Sequence, residues 1–178
     1  MSAHDRAVLD ARDAQLAAIQ ADLAGWQDRA PLADAVHRLA AYRGITRLGG
    51  RSRWPARSVT WRRFARAAAF AGFCGLVPSE YANGTTTRRG HITKTGNAHL
   101  RAQLARVRLG LEAPPRGRAD LRERQQGLDP QVVARAWTAQ PRLCGRFRRL
   151  AARKDSKNVV GTAIARELTG FLWAEMAA

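Results

Sequence analysis

GLVPSEYANGTTTRRGHITKTGNAHLR, residues 75–101, is the stretch on which the predictions of fold and function depend. It follows an apolar run, crosses a polar loop rich in glycine and threonine, and enters a helix. Gly96 predicts a turn, and Asn97 is a favoured N-cap residue. The helix that follows has leucines on one face, at Leu100, Leu104 and Leu111. The stretch therefore predicts a loop that leads into a buried helix.

The same loop has the composition of an anion-binding site. Its cations include Arg88, Arg89 and Lys94, and Glu80 is its single acid. A glycine-turned backbone that enters a helix N-terminus offers N–H donors to phosphate. A plain surface turn is the alternative, because glycine-rich loops before helices are common.

The whole chain is strongly basic. It has 31 Lys and Arg against 14 Asp and Glu in 178 residues, a formal net charge of +17. Such an excess predicts a polyanionic partner, and nucleic acid is the natural one. Nearly all the cations are arginine, which suits bidentate contacts with phosphate and guanine.

The two cysteines and four histidines do not predict a metal site. Cys74 and Cys144 lie far apart in apolar or basic surroundings, and the histidines lack metal-ligand spacing. We expect both thiols to be buried and reduced, as in a cytoplasmic protein. The chain has no apolar run of about 18 residues, so no membrane partner is expected.

The N-terminal segment, from Asp5 to about Asp28, predicts a helix with a heptad pattern. The repeat places apolar residues along one seam, at Leu9, Leu16, Ile19, Leu23 and Trp26. It suits either a dimerisation arm or an amphipathic helix packed on its own domain. We predict a coiled-coil-like linker helix over residues 1–30 and one compact domain over residues 31–178.

The rest of the chain predicts a mostly α fold. An apolar stretch from Phe64 to Leu76 suits a buried helix, and no stretch predicts a strand. Asp129 predicts an N-cap with Pro130 at the first helical position. Pro141 is expected to divide this region into two helices. Asp155 or Ser156 is expected to cap the last helix.

Two further segments are unusually basic. Residues 43–66 contain eight arginines and no acid. They suit an electrostatic arm, a solvated loop or the product of a local frameshift. The second segment is a basic helical face, which we interpret as tracking phosphates rather than as a merely solvated surface. Its members are Arg142, Arg146, Arg148, Arg149 and Arg153.

Long ordered motifs resemble the C-terminal transposase domain of the DEDD-type insertion-sequence transposases. This is the insertion-sequence one-hundred-ten group, whose members are described as bridge-RNA-guided recombinases. The central motifs are GLVPSEY and RRGHITKTGNAHLR within residues 75–101. Similar segments flank them: RGIT at 43–46, WRRFARA at 61–67, AWTAQPRLCGRFRRLAARK at 136–154 and VVGTAIARELTGFLWAEM at 159–176.

The resemblance implies catalytic parts that this chain does not show. Family members have an N-terminal RuvC-like domain with a DEDD metal-binding set, which we expect to precede this fragment. No cofactor is expected in this chain itself, and divalent metal only with that domain. The family's nucleophilic serine lies in a Ser-Gly step, which here is Asn83-Gly84. An amide is not a phosphodiester nucleophile, so we do not expect this chain alone to cut DNA.

The resemblance also implies nucleic-acid contacts and partners. The positions that match the family's basic loop and helix start are Arg88, Arg89, Lys94, Thr95, Asn97 and Arg101. The implied partners are DNA, a guide RNA and a second transposase protomer joined through the N-terminal helix. We expect the C-terminal, nucleic-acid-binding part of a DNA transposition protein. The alternatives are a stand-alone regulator of a full-length transposase and an unrelated basic RNA-binding protein.

Overall fold

The computed structural model describes residues 3–27, 32–45, 63–83, 85–111, 115, 117, 119–153 and 156–177. In these residues the fold is mostly α, as the sequence predicts, with one small two-stranded sheet. The elements in chain order are α1 Ala3–Gln27, α2 Leu32–Ala40, α3 Ala67–Phe73, β1 Pro78–Asn83, β2 Thr86–Ile92, α4 Ala98–Leu111, α5 Ala119–Gln125, α6 Pro130–Ala151 and α7 Lys157–Ala177.

Helix α7 is the centre of the core. It packs against α2, α3, α4 and α6. Its fully buried face repeats every four residues, at Val160, Ile164, Leu168 and Leu172. The predicted leucine face of α4 meets it and is likewise buried. Each such side chain contributes about 1.5–3 kcal/mol when it leaves water, so burial at this junction favours the folded state.

Helix α3 is shorter than the helix expected from Phe64 to Leu76. The chain leaves the helix in a Schellman motif, in which Gly75 N–H donates to Gly72 O at 2.8 Å and Leu76 N–H to Ala71 O at 3.0 Å. Gly75 has φ +65, a conformation that glycine adopts without steric cost. The helix therefore ends at Phe73, just before the turn at Gly75, and Pro78 begins a strand.

The β1–β2 hairpin corrects the expectation that no strand exists. The strands are antiparallel, with Tyr81 opposite Arg88 and Asn83 opposite Thr86. A register shift between Pro78 and Glu80 marks an irregularity at the base. The residues alternate poorly in polarity, because both strands are largely exposed. Period-two hydrophobic patterning marks a half-buried strand, so it could not reveal this hairpin.

Helix α6 corrects the expectation that Pro141 separates two helices. The helix is continuous over Pro130–Ala151 with Pro141 inside it. Pro141 lies on the exposed side, where water can hydrate the backbone carbonyl that has lost its donor. Residues on both sides of it, including Ala139 and Leu143, are buried. Core packing thus holds both halves in one helix. At its start, Asp129 accepts from Gln131 N–H at 2.8 Å, as predicted.

A buried carboxylate joins α2, α6 and α7, and the sequence analysis missed it. Glu175 is fully buried. Arg135 donates Nε to Oε2 at 2.6 Å and Nη2 to Oε1 at 2.9 Å. Arg38 donates Nε to Oε1 at 2.9 Å, and the Tyr42 hydroxyl donates to Oε2 at 3.3 Å. The carboxylate is therefore satisfied from two other segments of the chain, as a buried charge requires.

Helix α1 agrees with the predicted N-terminal helix. Its seam residues Leu9, Leu16 and Ile19 are about half exposed, at 50%, 54% and 48%. The main neighbour of α1 is α2. These three seam residues are thus open to solvent. Residues 46–62 of the arginine-rich segment 43–66 lie outside the described residues, as does Asp155.

Candidate nucleic-acid interface

The hairpin presents one face that combines an aromatic ring, a cation and hydrogen-bonding groups. Directly paired residues share a face in an antiparallel sheet, and so do residues two apart. Tyr81 and Arg88 therefore lie together on the face that also holds Asn83 and Thr86. Tyr81 is 73% exposed and Arg88 is exposed. The edge of the Tyr81 ring lies beside Gly90, where a β-carbon would come within 3.7 Å of Cε2.

Among the described residues, the two strands chiefly contact each other. An isolated two-stranded hairpin is marginally stable in water. Here its base is anchored, because Thr93 N–H donates to Val77 O at 2.9 Å and Lys94 N–H to Gly75 O at 3.2 Å. The hairpin therefore projects from a fixed base instead of forming part of the core.

The turn between β2 and α4 is clamped to the end of α3. Asn97 N–H donates to Phe73 O at 2.8 Å. Gly96 has φ +94, and a β-carbon there would collide with the same carbonyl oxygen. Lys94 has φ +55, which is uncommon for a residue with a side chain. The turn thus has one backbone path, and it sets where the hairpin leaves the helical body.

Asn97 and Arg101 have structural partners in this turn. The Asn97 side chain caps α4 by accepting from Leu100 N–H at 3.0 Å, as predicted. Arg101 donates Nη1 to Cys74 O at 3.1 Å, at the carboxyl end of α3. The backbone N–H groups of Asn97 and Leu100 therefore donate to acceptors within the protein, so they do not point to an anion.

The other predicted contact residues lie on or near the hairpin. Arg88, Lys94 and Thr95 are exposed. The backbone of Arg89 lies in β2 opposite Glu80. The exposed residues and the structural pair Asn97 and Arg101 form one region, because the clamped turn brings the hairpin base and the α4 start together.

Asn83, which the sequence resemblance aligns with the family's serine, ends β1 at the hairpin tip. Its Oδ1 accepts from the Thr86 hydroxyl at 3.3 Å, and Thr85 N–H donates to Asn83 O. Both Asn83 and Thr85 are exposed. Asn83 is thus on the Tyr81–Arg88 face.

The basic face of α6 is partly neutralised. Arg142 Nε lies 2.6 Å from Glu167 Oε1, and Arg146 Nε lies 2.9 Å from Glu167 Oε2. Glu167 belongs to α7, so these pairs join the two helices. Arg148, Arg149 and Arg153 are exposed toward the end of α6. In the described part of the chain, the exposed cations of the predicted face that lie beyond the Glu167 pairs are therefore Arg148, Arg149 and Arg153.

Within the described parts of the chain, no group of three His, Cys, Asp or Glu residues could hold a metal ion. None of the described helices has the length and apolar character needed to cross a membrane.

Sequence reasoning missed Tyr81 as a member of the interface. The sequence signal for Tyr81 is the pair of short segments SEY (79–81) and TRR (87–89). Their pairing as strands places the Tyr81 ring opposite Arg88. The pairing brings Asn83 opposite Thr86, in a segment that the sequence analysis treated as loop.

Known proteins match the region that contains this interface. Residues 56–111 match the family model described as Transposase IS116/IS110/IS902 family. The putative transposase y4qE of Sinorhizobium fredii (strain NBRC 101917 / NGR234) is 43% identical over 113 residues, or 63% of this chain. The match covers 29% of that relative, so this chain corresponds to less than a third of it.

The hairpin, the clamped turn and α4 therefore lie in the part of the chain that is similar to insertion-sequence transposases, as the sequence motifs predict.

Proposed function

We propose that this protein binds DNA as the C-terminal part of a transposition system, and that the β1–β2 hairpin is its principal contact. The observation that carries the proposal is the exposed pairing of Tyr81 with Arg88 on a hairpin that projects from a chain of net charge +17. The Arg88 guanidinium can donate hydrogen bonds to a phosphate, and the exposed Tyr81 ring can stack on a base.

The shape of the hairpin supports a groove-binding role. A two-stranded β-ribbon fits the major groove of B-DNA, which is about 12 Å wide. The clamped turn fixes the base of the ribbon, so the ribbon should lose little conformational entropy when it binds DNA. Arg88 and Lys94 would then contact phosphates near the ribbon, with Thr95 beside them.

Asn83 would lie close to the DNA without cleaving it. Its side chain has no hydroxyl to attack phosphorus, and its amide oxygen accepts from Thr86. We therefore propose a binding protomer, with strand cleavage dependent on residues outside this chain. A nicking assay on supercoiled DNA with Mg²⁺ tests this, since cleavage by the purified chain would contradict it.

The binding proposal is tested by salt dependence. Each phosphate contact on duplex DNA contributes about −0.9 to the slope of log K against log salt. Arg88→Ala should reduce the magnitude of this slope by about one. Arg122→Ala is the matched control, because it removes an exposed arginine of α5 that belongs to neither the hairpin nor the basic face of α6. Equal effects of both variants would show that general charge, not the hairpin, drives binding.

The expected guide RNA is tested in the same assay. A structured RNA should compete with DNA for Arg88 if both use the hairpin, and the Arg88→Ala slope change should appear for both. An RNA affinity that ignores Arg88 would place RNA elsewhere on the chain.

A second candidate function, as a partner of a full-length transposase, is favoured by α1. Its exposed seam residues Leu9, Leu16 and Ile19 lie along a helix of 25 residues. We infer that a second copy of this helix covers the seam. Sedimentation of the wild type and of Leu9→Asp/Leu16→Asp tests this. A monomeric wild type at high concentration would remove this candidate.

A further inference from the structure

A groove of about 410 Å³ lies between the base of the hairpin and the first half of α7. The hairpin side contributes Pro78, Ile92 and Lys94, and α7 contributes Val159, Ala163 and Arg166. Its volume is within the range of small-molecule sites, about 300–1,000 Å³. The groove thus begins where the Tyr81–Arg88 face ends.

The walls are apolar and the rim is cationic. Pro78, Ile92, Val159 and Ala163 supply aliphatic surface, and Val159 is 52% exposed. Lys94 comes from one side and Arg166 from the other, and both are exposed. None of the described residues that line the groove is acidic. An occupant should therefore have an uncharged, weakly polar body and a negative group.

The hairpin side of the groove is held in place. Lys94 adopts φ +55 and is fixed by the hydrogen bond from its N–H to Gly75 O. Gly90 also lines the groove, and a β-carbon there would collide with Ser79 Oγ at 2.5 Å. The groove is thus preformed, which lowers the ordering cost of binding.

We propose that this groove receives one unstacked nucleotide of a single-stranded or locally opened nucleic acid. The base contacts the aliphatic walls, and Lys94 and Arg166 contact its phosphates. Asn158 and Thr162 also line the groove and offer polar groups to the base edge. This inference rests on the nucleic-acid binding proposed above and adds that the site selects single-stranded or locally opened nucleic acid over paired duplex.

The probe is a short single-stranded oligodeoxynucleotide of alternating thymidine and 2-aminopurine. Anisotropy reports binding, and 2-aminopurine fluorescence rises when the base leaves its stack. We expect salt-dependent binding with a fluorescence increase. A fully paired duplex of the same strand should bind without that increase.

Ala163→Phe fills the groove without a change of charge. Its matched control is Ala174→Phe, which adds the same ring at an exposed position of the same helix. Ala163→Phe should weaken single-strand binding about fivefold or more, the loss expected for one base contact. It should also abolish the fluorescence increase, whereas Ala174→Phe should change neither.

Val159→Asp is a second variant at an exposed site, for use if Ala163→Phe fails to fold. It places a carboxylate at the mouth and should weaken binding more than Ala174→Asp does. Salt-dependent binding with no fluorescence increase, or equal affinities for groove and control variants, would overturn the groove proposal alone. The absence of salt-dependent binding to any probe would overturn both this proposal and the proposed function.

Discussion

Arg135 of α6 donates two hydrogen bonds, of 2.6 and 2.9 Å, to the buried carboxylate of Glu175 in α7. Arg38 of α2 shares the same carboxylate. The last turn of α7 is thereby tied to two segments that are 40 and 137 residues away in the chain. These hydrogen bonds hold the last turn of α7 against α2 and α6.

Glu175→Gln should lower the free energy of unfolding by about 3 kcal/mol. Removal of one partner of a buried ion pair leaves the opposite charges uncompensated. Urea unfolding followed by circular dichroism measures the loss. Glu167→Gln is the control, since its partners Arg142 and Arg146 are largely exposed, and it should cost about 1 kcal/mol or less. Equal losses would contradict a special role for Glu175.

The free energy of unfolding should fall in acid because Glu175 becomes protonated. Burial alone would raise the pKa of this carboxyl, but hydrogen bonds from Arg135 and Arg38 hold it below its ordinary value of 4.5. The unfolded chain therefore takes up the proton first, and stability is lost as the pH falls from about 4.5 through the folded pKa. Unfolding free energies measured across this range should decline less in Glu175→Gln than in the wild type. Parallel curves would count against the assignment.

Gly96→Ala should destabilise the protein by more than about 1 kcal/mol, because φ +94 strains a side chain and the β-carbon would meet Phe73 O. It should also weaken DNA binding, since the clamped turn positions the hairpin. Gly145→Ala is the control in the interior of α6, where a β-carbon meets nothing within 4 Å. That change should stabilise by about 0.5–1 kcal/mol. A neutral Gly96→Ala would show that the turn can relax.

Both cysteines should resist thiol reagents in the native protein. Burial raises the pKa of Cys74 to about 12, against the opposing charge of Arg101, and burial also raises the pKa of Cys144. The thiolate is the reactive species, so both should label only after unfolding. Labelling with and without denaturant, followed by mass spectrometry, measures this. Rapid modification of the native protein at either site would contradict the buried assignment.

Local signals predicted those elements whose causes are local. The Asn97 cap, the leucine face of α4 and the Asp129–Pro130 start of α6 depend on residues within one or two turns of one another. The same local reasoning was wrong at Pro141, because burial of Ala139 and Leu143 outweighs one missing hydrogen bond. It was wrong at the hairpin, because exposed strands have no hydrophobic alternation to show.

The sequence alone determined the charge, the helical character, the capped start of α4 and the family-like motifs, since each is a property of composition or of neighbouring residues. Only the tertiary structure decided that Tyr81 faces Arg88, that Arg101 donates to Cys74 O, and that Glu175 accepts from Arg38. The first contact crosses a hairpin, and the other two join residues 27 and 137 positions apart in the chain. Their partners are selected by the packing of the whole core, which no local pattern encodes.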